Sequence, residues 1–246
     1  MLRSGNPLLG ESRLRAIQQT ATGTEVMTFN GTLNKTALLF LILLLGASWT
    51  WADHSWSEPA GFSGKMMIGL FGGLVLALVT VFKMEWARVT APAYAFLQGM
   101  FLGGLSSYLE AMYPGIVIPA IVLTFGILVG MLMTYRSGLI KVTERFRIGV
   151  VSATLGIVVF YFIAIALGMF GINIPFLFEG GVFGILFSLF VIVIAALNLV
   201  LDFDLIERLS SMGMPRHVEW YGGFALMVTL VWLYIEILRL LAKTRD

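Results

Sequence analysis

Two stretches of the chain carry carboxylates inside runs of apolar residues. The first is Leu197-Asn198-Leu199-Val200-Leu201-Asp202-Phe203-Asp204-Leu205-Ile206-Glu207, and the second is Trp232-Leu233-Tyr234-Ile235-Glu236-Ile237-Leu238-Arg239. Polar side chains are costly within hydrocarbon, so there they face a cavity or a partner. Asn198 and Asp202 are four residues apart and share a helix face. If Asp202 and Glu236 meet between helices, both cannot easily ionise and they tend to share a proton. Such a pair senses pH, and once deprotonated it offers hard oxygen ligands to a metal cation. Asn198 and Asp204 are candidates for further polar lining, and Asp204 competes with Asp202 for the sensing role. Plainer readings stand beside these. Asp202 and Asp204 fit a solvated helix end at the headgroups, and Glu236 fits an ion pair with Arg239, three residues on.

Composition specifies the elements that must position these residues. Of 246 residues, 59% are hydrophobic and only 12% charged, and the mean hydropathy is +0.92. A soluble domain carries about twice that share of charge. The expected class is therefore all-α, a polytopic membrane protein. Seven apolar runs are long enough to cross about 30 Å of hydrocarbon as helices. They cover Thr36 to Ala52, Met66 to Phe82, Ala91 to Leu109, Gly115 to Tyr135, Ile148 to Phe170, Val182 to Leu201, and Gly222 to Leu241. The expected organisation is an N-terminal tail over residues 1–35 and a seven-helix transmembrane domain over residues 36–246. No cleaved signal peptide is expected, and the first span serves as a signal anchor.

Lys and Arg give the orientation. Twelve of them (Arg3, Arg13, Arg15, Lys35, Lys83, Arg88, Arg136, Lys141, Arg145, Arg147, Arg208 and Arg216) fall on the side of the N-terminus. Four (Lys65, Arg239, Lys243 and Arg245) fall on the other. The tail is therefore expected in the cytoplasm, and the three basic residues at the C-terminus are the discordant feature. The sequons Asn30-Gly31-Thr32 and Asn34-Lys35-Thr36 lie on that cytoplasmic side and read as chance. Glu110 to Pro114 is short enough to make spans three and four a tight hairpin. Gly99, Gly103, Gly104 and Ser106 line one face of span three, where small residues let helix backbones approach closely.

Several activities are set aside. A net charge of +2 without a long basic run does not suit nucleic acid. The absence of Cys excludes disulfides, thiolate metal sites and cysteine nucleophiles. The two histidines, His54 and His217, lie in connections, where an intramembrane Ser-His hydrolase would need one in the bundle. No HExxH zinc motif and no P-loop is present. An aspartyl enzyme, which also uses paired acids, stays formally open. The expectation is a protein that is not an enzyme and carries no cofactor.

Leu201-Asp202-Phe203-Asp204-Leu205-Ile206 resembles the late Tyr-Asp-X-X-X-Ile segment of the Bax inhibitor-1 family, the transmembrane Bax-inhibitor-motif proteins. Leu233-Tyr234-Ile235-Glu236-Ile237-Leu238 is similar to that family's Leu-Tyr-Leu-Asp-Ile-Ile. Asn6-Pro7-Leu8-Leu9-Gly10, Phe29-Asn30-Gly31-Thr32 and Tyr135-Arg136-Ser137-Gly138-Leu139-Ile140 resemble a longer bacterial subgroup. The resemblance implies seven helices with the last one central. It also implies a pH-sensitive calcium leak channel of the bacterial inner membrane. In such a channel an acid pair, here Asp202 and Glu236, acts as sensor and binds the permeant ion. A basic residue near the second helix latches the closed state. Arg88, just before Tyr94-Ala95-Phe96, is the candidate latch, with Lys83 in reserve. Two departures stand out. Glu236 replaces the family's usual Asp, and the stretch from Glu207 to Glu219 reads as a long amphipathic turn at the membrane surface. The expected partners are the lipid bilayer, calcium ions, protons and a further membrane protein. Two alternatives remain: a non-transporting regulator of a membrane protease or other complex, and a proton-coupled transporter.

Overall fold

The computed structural model describes residues 26–52, 64–171 and 181–245. The opening motif at Asn6 to Gly10, the three tail arginines and His54 lie outside the described residues. The described chain is helical: α1 (Phe29–Ala52), α2 (Gly64–Phe82), α3 (Ala87–Met112), α4 (Val117–Arg136), α5 (Glu144–Met169), α6 (Val182–Ser211) and α7 (Val218–Lys243), with a single 3₁₀ turn at Met84–Trp86 before α3. All but α3 are long and apolar enough to cross a membrane. The protein is a polytopic membrane protein.

Helix α3 has the length of a span but less apolar character, for a visible reason. Most of its buried residues are small or polar, among them Thr90, Gly99, Gly103, Gly104, Ser106 and Ser107. A helix shielded by protein does not need the apolar surface that lipid demands of the others. Burial differs in the same sense elsewhere. Half of the most apolar stretch of α7 is buried, against 17% in α4 and in α5.

The helices extend beyond the apolar runs. Helix α1 begins at Phe29 rather than Thr36, and both sequons lie inside it. Thr28 caps it, its hydroxyl accepting a hydrogen bond from the Gly31 amide at 2.9 Å. Helix α6 continues to Ser211, ten residues past the end of its apolar run. Asp202 interrupts the hydropathy there but not the buried stripe, which continues through Phe203, Ile206 and Leu209. Gly213, at φ +66°, ends the helix in the left-handed conformation, and the Met214 amide bonds the Leu209 carbonyl at 3.3 Å. The stretch from Glu207 to Glu219 is therefore not a surface turn. It comprises the end of α6, a connection of six residues and the start of α7.

The chain divides into two compact units. The first contains Met1–Tyr108 and Asp204–Met227. Within it, glycines set the packing of α3. A Cβ on Gly99 would overlap the Leu43 carbonyl, and one on Gly103 would overlap the Ala47 carbonyl. From the other side, a Cβ on Gly46 would overlap the Phe96 carbonyl, so α1 and α3 touch backbone to backbone. Gly69 of α2 also lies close to the Leu97 carbonyl, 2.6 Å from where its Cβ would sit. The expected small-residue face is thus a helix-packing face.

The same unit fastens the start of α1. The Met27 amide donates to the Met214 carbonyl at 2.7 Å, and the Ser210 hydroxyl donates to the Met27 carbonyl at 3.1 Å. The Glu219 carboxylate, 2% exposed as a residue, accepts from the Thr28 amide at 3.1 Å and from the Thr28 hydroxyl at 3.3 Å. An acid at the first turn of α1 meets the positive end of its helix dipole. Lys35 lies 4.9 Å from the centre of the Trp220 ring.

The second unit contains Leu109–Phe203 and Val228–Asp246. Ile157 of α5 packs there with Val191 and Ile194 of α6 and with Trp232 of α7. Tyr135 of α4 meets Phe203 in a tilted ring contact, centres 5.8 Å apart. Between α3 and α4 the expected tight hairpin is present. The Glu110 carboxylate closes it by accepting from the Gly115 amide at 2.6 Å and the Val117 amide at 3.0 Å.

Candidate functional site

Three buried polar residues of the second unit fall on one face of α7. Thr229, Glu236 and Lys243 recur every seven residues, which is nearly two full turns and returns each to the same face. All three are buried, at 9%, 1% and 3% exposure. Successive members are about 10 Å apart along the helix axis. Each meets a partner from another helix, so a polar stripe runs down a helix whose surroundings are otherwise apolar.

At the first level, the Thr229 hydroxyl donates to Oδ2 of Asp202 at 2.6 Å. One turn back along α6, the Asn198 amide donates to the Thr154 hydroxyl of α5 and to the Ile194 carbonyl, both at 2.8 Å. Asn198 and Asp202 do share a face region of α6, one bonding to α5 and the other to α7.

At the second level, Oε2 of Glu236 accepts from the Tyr161 hydroxyl of α5 at 3.1 Å and from the Arg239 guanidinium at 3.0 Å. Arg239 also donates to the Tyr161 hydroxyl, and its guanidinium lies 5.0 Å from the centre of the Tyr161 ring. The three groups close a ring of contacts around a single oxygen. The other oxygen, Oε1, is buried and has no hydrogen-bond partner among the described residues. Phe187 of α6 packs edge-on against Tyr161, centres 6.2 Å apart.

At the third level, the Lys243 ammonium donates to the Gly184 carbonyl at 3.2 Å and to the Ser188 hydroxyl at 3.1 Å. It ties the end of α7 to the first turns of α6. Two residues on, Arg245 donates to the Pro114 carbonyl at 2.6 Å. The basic residues that looked discordant in the charge pattern are therefore engaged. Arg239 pairs with Glu236, Lys243 is buried against α6, and Arg245 closes on the α3–α4 connection.

The expected meeting of the two acids needs correction for this structure. Asp202 bonds Thr229, and Glu236 lies seven residues further along α7, about 10 Å away by helix rise. They occupy separate levels and do not share a hydrogen bond. The plainer reading of Glu236, an ion pair with Arg239, is the observed one. Asp204 belongs to the first unit and pairs with Arg208, one turn on, at 2.8 Å. Arg88 also belongs to the first unit, is exposed, and acts electrostatically on His217.

Three participants were not anticipated. Tyr161 stands 75 residues before Glu236, and nothing local marks it as a partner. Thr229 and Lys243 were legible, because Thr-X6-Glu-X6-Lys within an apolar helix is a seven-residue polar repeat.

Residues 6–246 match the family model described as Bax inhibitor 1 like. No curated protein and no solved structure is significantly similar to the chain. The matched region takes in both acid-bearing segments, all three levels of the polar stripe and all seven helices, and the chain belongs to the Bax inhibitor-1-like family.

Proposed function

We propose that the protein is a cation leak of the cytoplasmic (bacterial inner) membrane, permeable to calcium and sensitive to pH, with its N-terminus in the cytoplasm. The observation that supports it is the buried stripe of Thr229, Glu236 and Lys243 on α7, with a carboxylate at two of its levels. A stripe that served packing alone would be apolar, as most of α7 is. Carboxylate oxygens suit calcium, which takes oxygen ligands. Oε1 of Glu236, which has no hydrogen-bond partner among the described residues, is one ligand position that needs no bond among them to be broken. The twelve-to-four charge bias supports the orientation.

In this reading Asp202 and Glu236 act in sequence along the path. Each is negative when deprotonated and attracts a divalent cation, and each loses that attraction on protonation. Flux then rises with pH. The chain acts as a leak and not as a catalyst. An acid-pair hydrolase needs its two carboxyls side by side, whereas these have separate partners.

Calcium flux into proteoliposomes at acid and neutral pH tests the proposal. The wild-type protein is expected to pass more calcium at neutral pH. Asp202→Asn and Glu236→Gln are each expected to reduce the difference. Absence of flux under all conditions rejects the leak and favours a non-transporting regulator of another membrane protein. Saturable flux coupled to a counter-ion favours a transporter. An unchanged pH profile in both variants removes the acids from the mechanism.

A further inference from the structure

Glu236 has its counter-ion on its own helix, and we infer that Arg239, positioned by Tyr161, is a charge clamp that keeps cations off Glu236 until it swings away. This deepens the leak reading and rests on it for its role in flux. The geometry itself is independent of that reading.

The clamp follows from how the contacts are divided. Both donors converge on Oε2 of Glu236, Tyr161 at 3.1 Å and Arg239 at 3.0 Å, while Oε1 has no hydrogen-bond partner among the described residues. A guanidinium used only to neutralise a buried carboxylate would gain most from the two-oxygen fork that Arg forms readily. Here it bonds one oxygen and leaves the other open. A cation approaching Oε1 meets the positive charge of Arg239 bound to the same carboxylate, and that repulsion falls steeply only if the guanidinium leaves.

Arg239 has somewhere to go. Its side chain is 33% exposed, while that of Glu236 is 1% exposed. The acid is fixed and the base has an exposed side to turn toward. Tyr161 sets the resting position in two ways. Its hydroxyl accepts from Arg239 while donating to Glu236, and its ring lies 5.0 Å below the guanidinium, within the range of a cation–π contact. Tyr161 is in turn held by Phe160 and Phe187, with ring centres 6.2 Å away in each case. One turn along, Lys243 is anchored to Gly184 and Ser188 of α6. It adds a second positive charge on the C-terminal side, which discourages Arg239 from moving further along the helix. Arg239 and Tyr161 are positioning residues, because neither supplies a cation ligand.

The test uses full-length purified protein and two readouts. The first is calcium flux in proteoliposomes. The second is calcium binding without transport, read by equilibrium dialysis and by the calcium-dependent rise in thermal midpoint in detergent. Arg239→Gln is expected to raise calcium affinity on the order of tenfold and to raise flux with it, since it removes a like charge from the site. Arg239→Lys keeps the charge and should stay near wild type. Tyr161→Phe keeps the ring and the Glu236–Arg239 bond but removes the hydroxyl that helps hold the guanidinium, and should give a smaller rise. The double variant Glu236→Gln/Arg239→Gln removes both charges of the pair, so neither is left without the other, and should fold and lose the gain. If Arg239→Gln does not fold, Tyr161→Phe carries the test. Unchanged binding in Arg239→Gln and Tyr161→Phe overturns the clamp, even when wild-type flux upholds the leak. Raised binding with no flux in any protein upholds the clamp and rejects the leak.

Discussion

Thr229 of α7 donates its hydroxyl to Oδ2 of Asp202 of α6 at 2.6 Å, a short bond between two helices that are apolar on most of their surface. The bond is part-buried, so a group that loses its partner there is only partly compensated by solvent. Thr229→Val keeps the shape and removes the donor, leaving the carboxylate short of a partner. The expected cost is about 1–3 kcal/mol, seen as a lower thermal midpoint in detergent. Thr229→Ser should stay near wild type, and Asp202→Asn, which keeps an acceptor oxygen, should be milder than Asp202→Ala. A Thr229→Val protein as stable as the wild type would show that the bond contributes nothing.

The glycines of α3 give a prediction with internal controls. Gly99 and Gly103 have no room for a methyl group, because the Leu43 and Ala47 carbonyls occupy that space. Gly99→Ala and Gly103→Ala must push α1 and α3 apart. About 1–3 kcal/mol of destabilisation is expected from each, the range for forced overpacking. Gly126 of α4 and Gly156 of α5 have open space where the Cβ would be. Ala there should be neutral or slightly stabilising, since Ala is the better helix former. Thermal unfolding of the four single variants separates the groups, and equal effects in all four would reject the close-approach account.

The glycine face and the site show what a sequence of this kind discloses. Spans were legible because hydrocarbon imposes a length and a composition on them. Their ends were less so, because hydropathy stops at the first acid while the helix does not. Helix α6 continues past Asp202 since Phe203, Ile206 and Leu209 keep its buried stripe. Glu236 was legible as a buried acid, and its bond to Arg239 is local and could be weighed in advance. Its bond to Tyr161 depends on how α5 lies against α7, which no spacing encodes. For the same reason Glu219 passed unnoticed, as its partner Thr28 is 191 residues away. The Asp202–Glu236 pairing failed at that step too. Both residues are where an acid pair was expected in sequence, but the helix register places them two turns apart.

Glu219 should act as a tether for the start of α1. Its carboxylate takes the amide and the hydroxyl of Thr28, and Arg216 approaches its other oxygen at 3.9 Å. Glu219→Ala leaves the Thr28 amide without that acceptor and opens a gap beside Gly31. A loss of about 1–3 kcal/mol is expected. Faster proteolytic cutting near residues 26–28 should accompany it. Glu219→Gln keeps one acceptor oxygen and should fall between Ala and wild type. If Ala and wild type are cut at the same rate, the Met27 and Ser210 bonds suffice without the acid.

His217 gives a pH dependence whose sign can be worked out. It lies in the connection between α6 and α7, and its Nε2 is buried without a hydrogen-bond partner among the described residues. Burial pushes its pKa below the ordinary 6.5, the Arg88 guanidinium pushes it the same way, and Glu85 opposes them. The folded protein thus resists a proton that the unfolded chain accepts. The stability associated with neutral His217 is fully present above about pH 6.5. It is lost progressively as pH falls from there toward the lower folded-state value, because the unfolded state protonates first. The thermal midpoint of the wild type should therefore drop between neutral and mildly acid pH by more than that of His217→Gln, which cannot titrate. Arg88→Gln removes one of the two causes and should give an intermediate drop, whereas Glu85→Gln removes the opposing charge and should give a larger one. Midpoints measured from pH 7.5 down to about pH 5 for the four proteins decide the matter. If His217→Gln loses as much stability as the wild type over that range, the acid sensitivity belongs to other groups and His217 is no part of it.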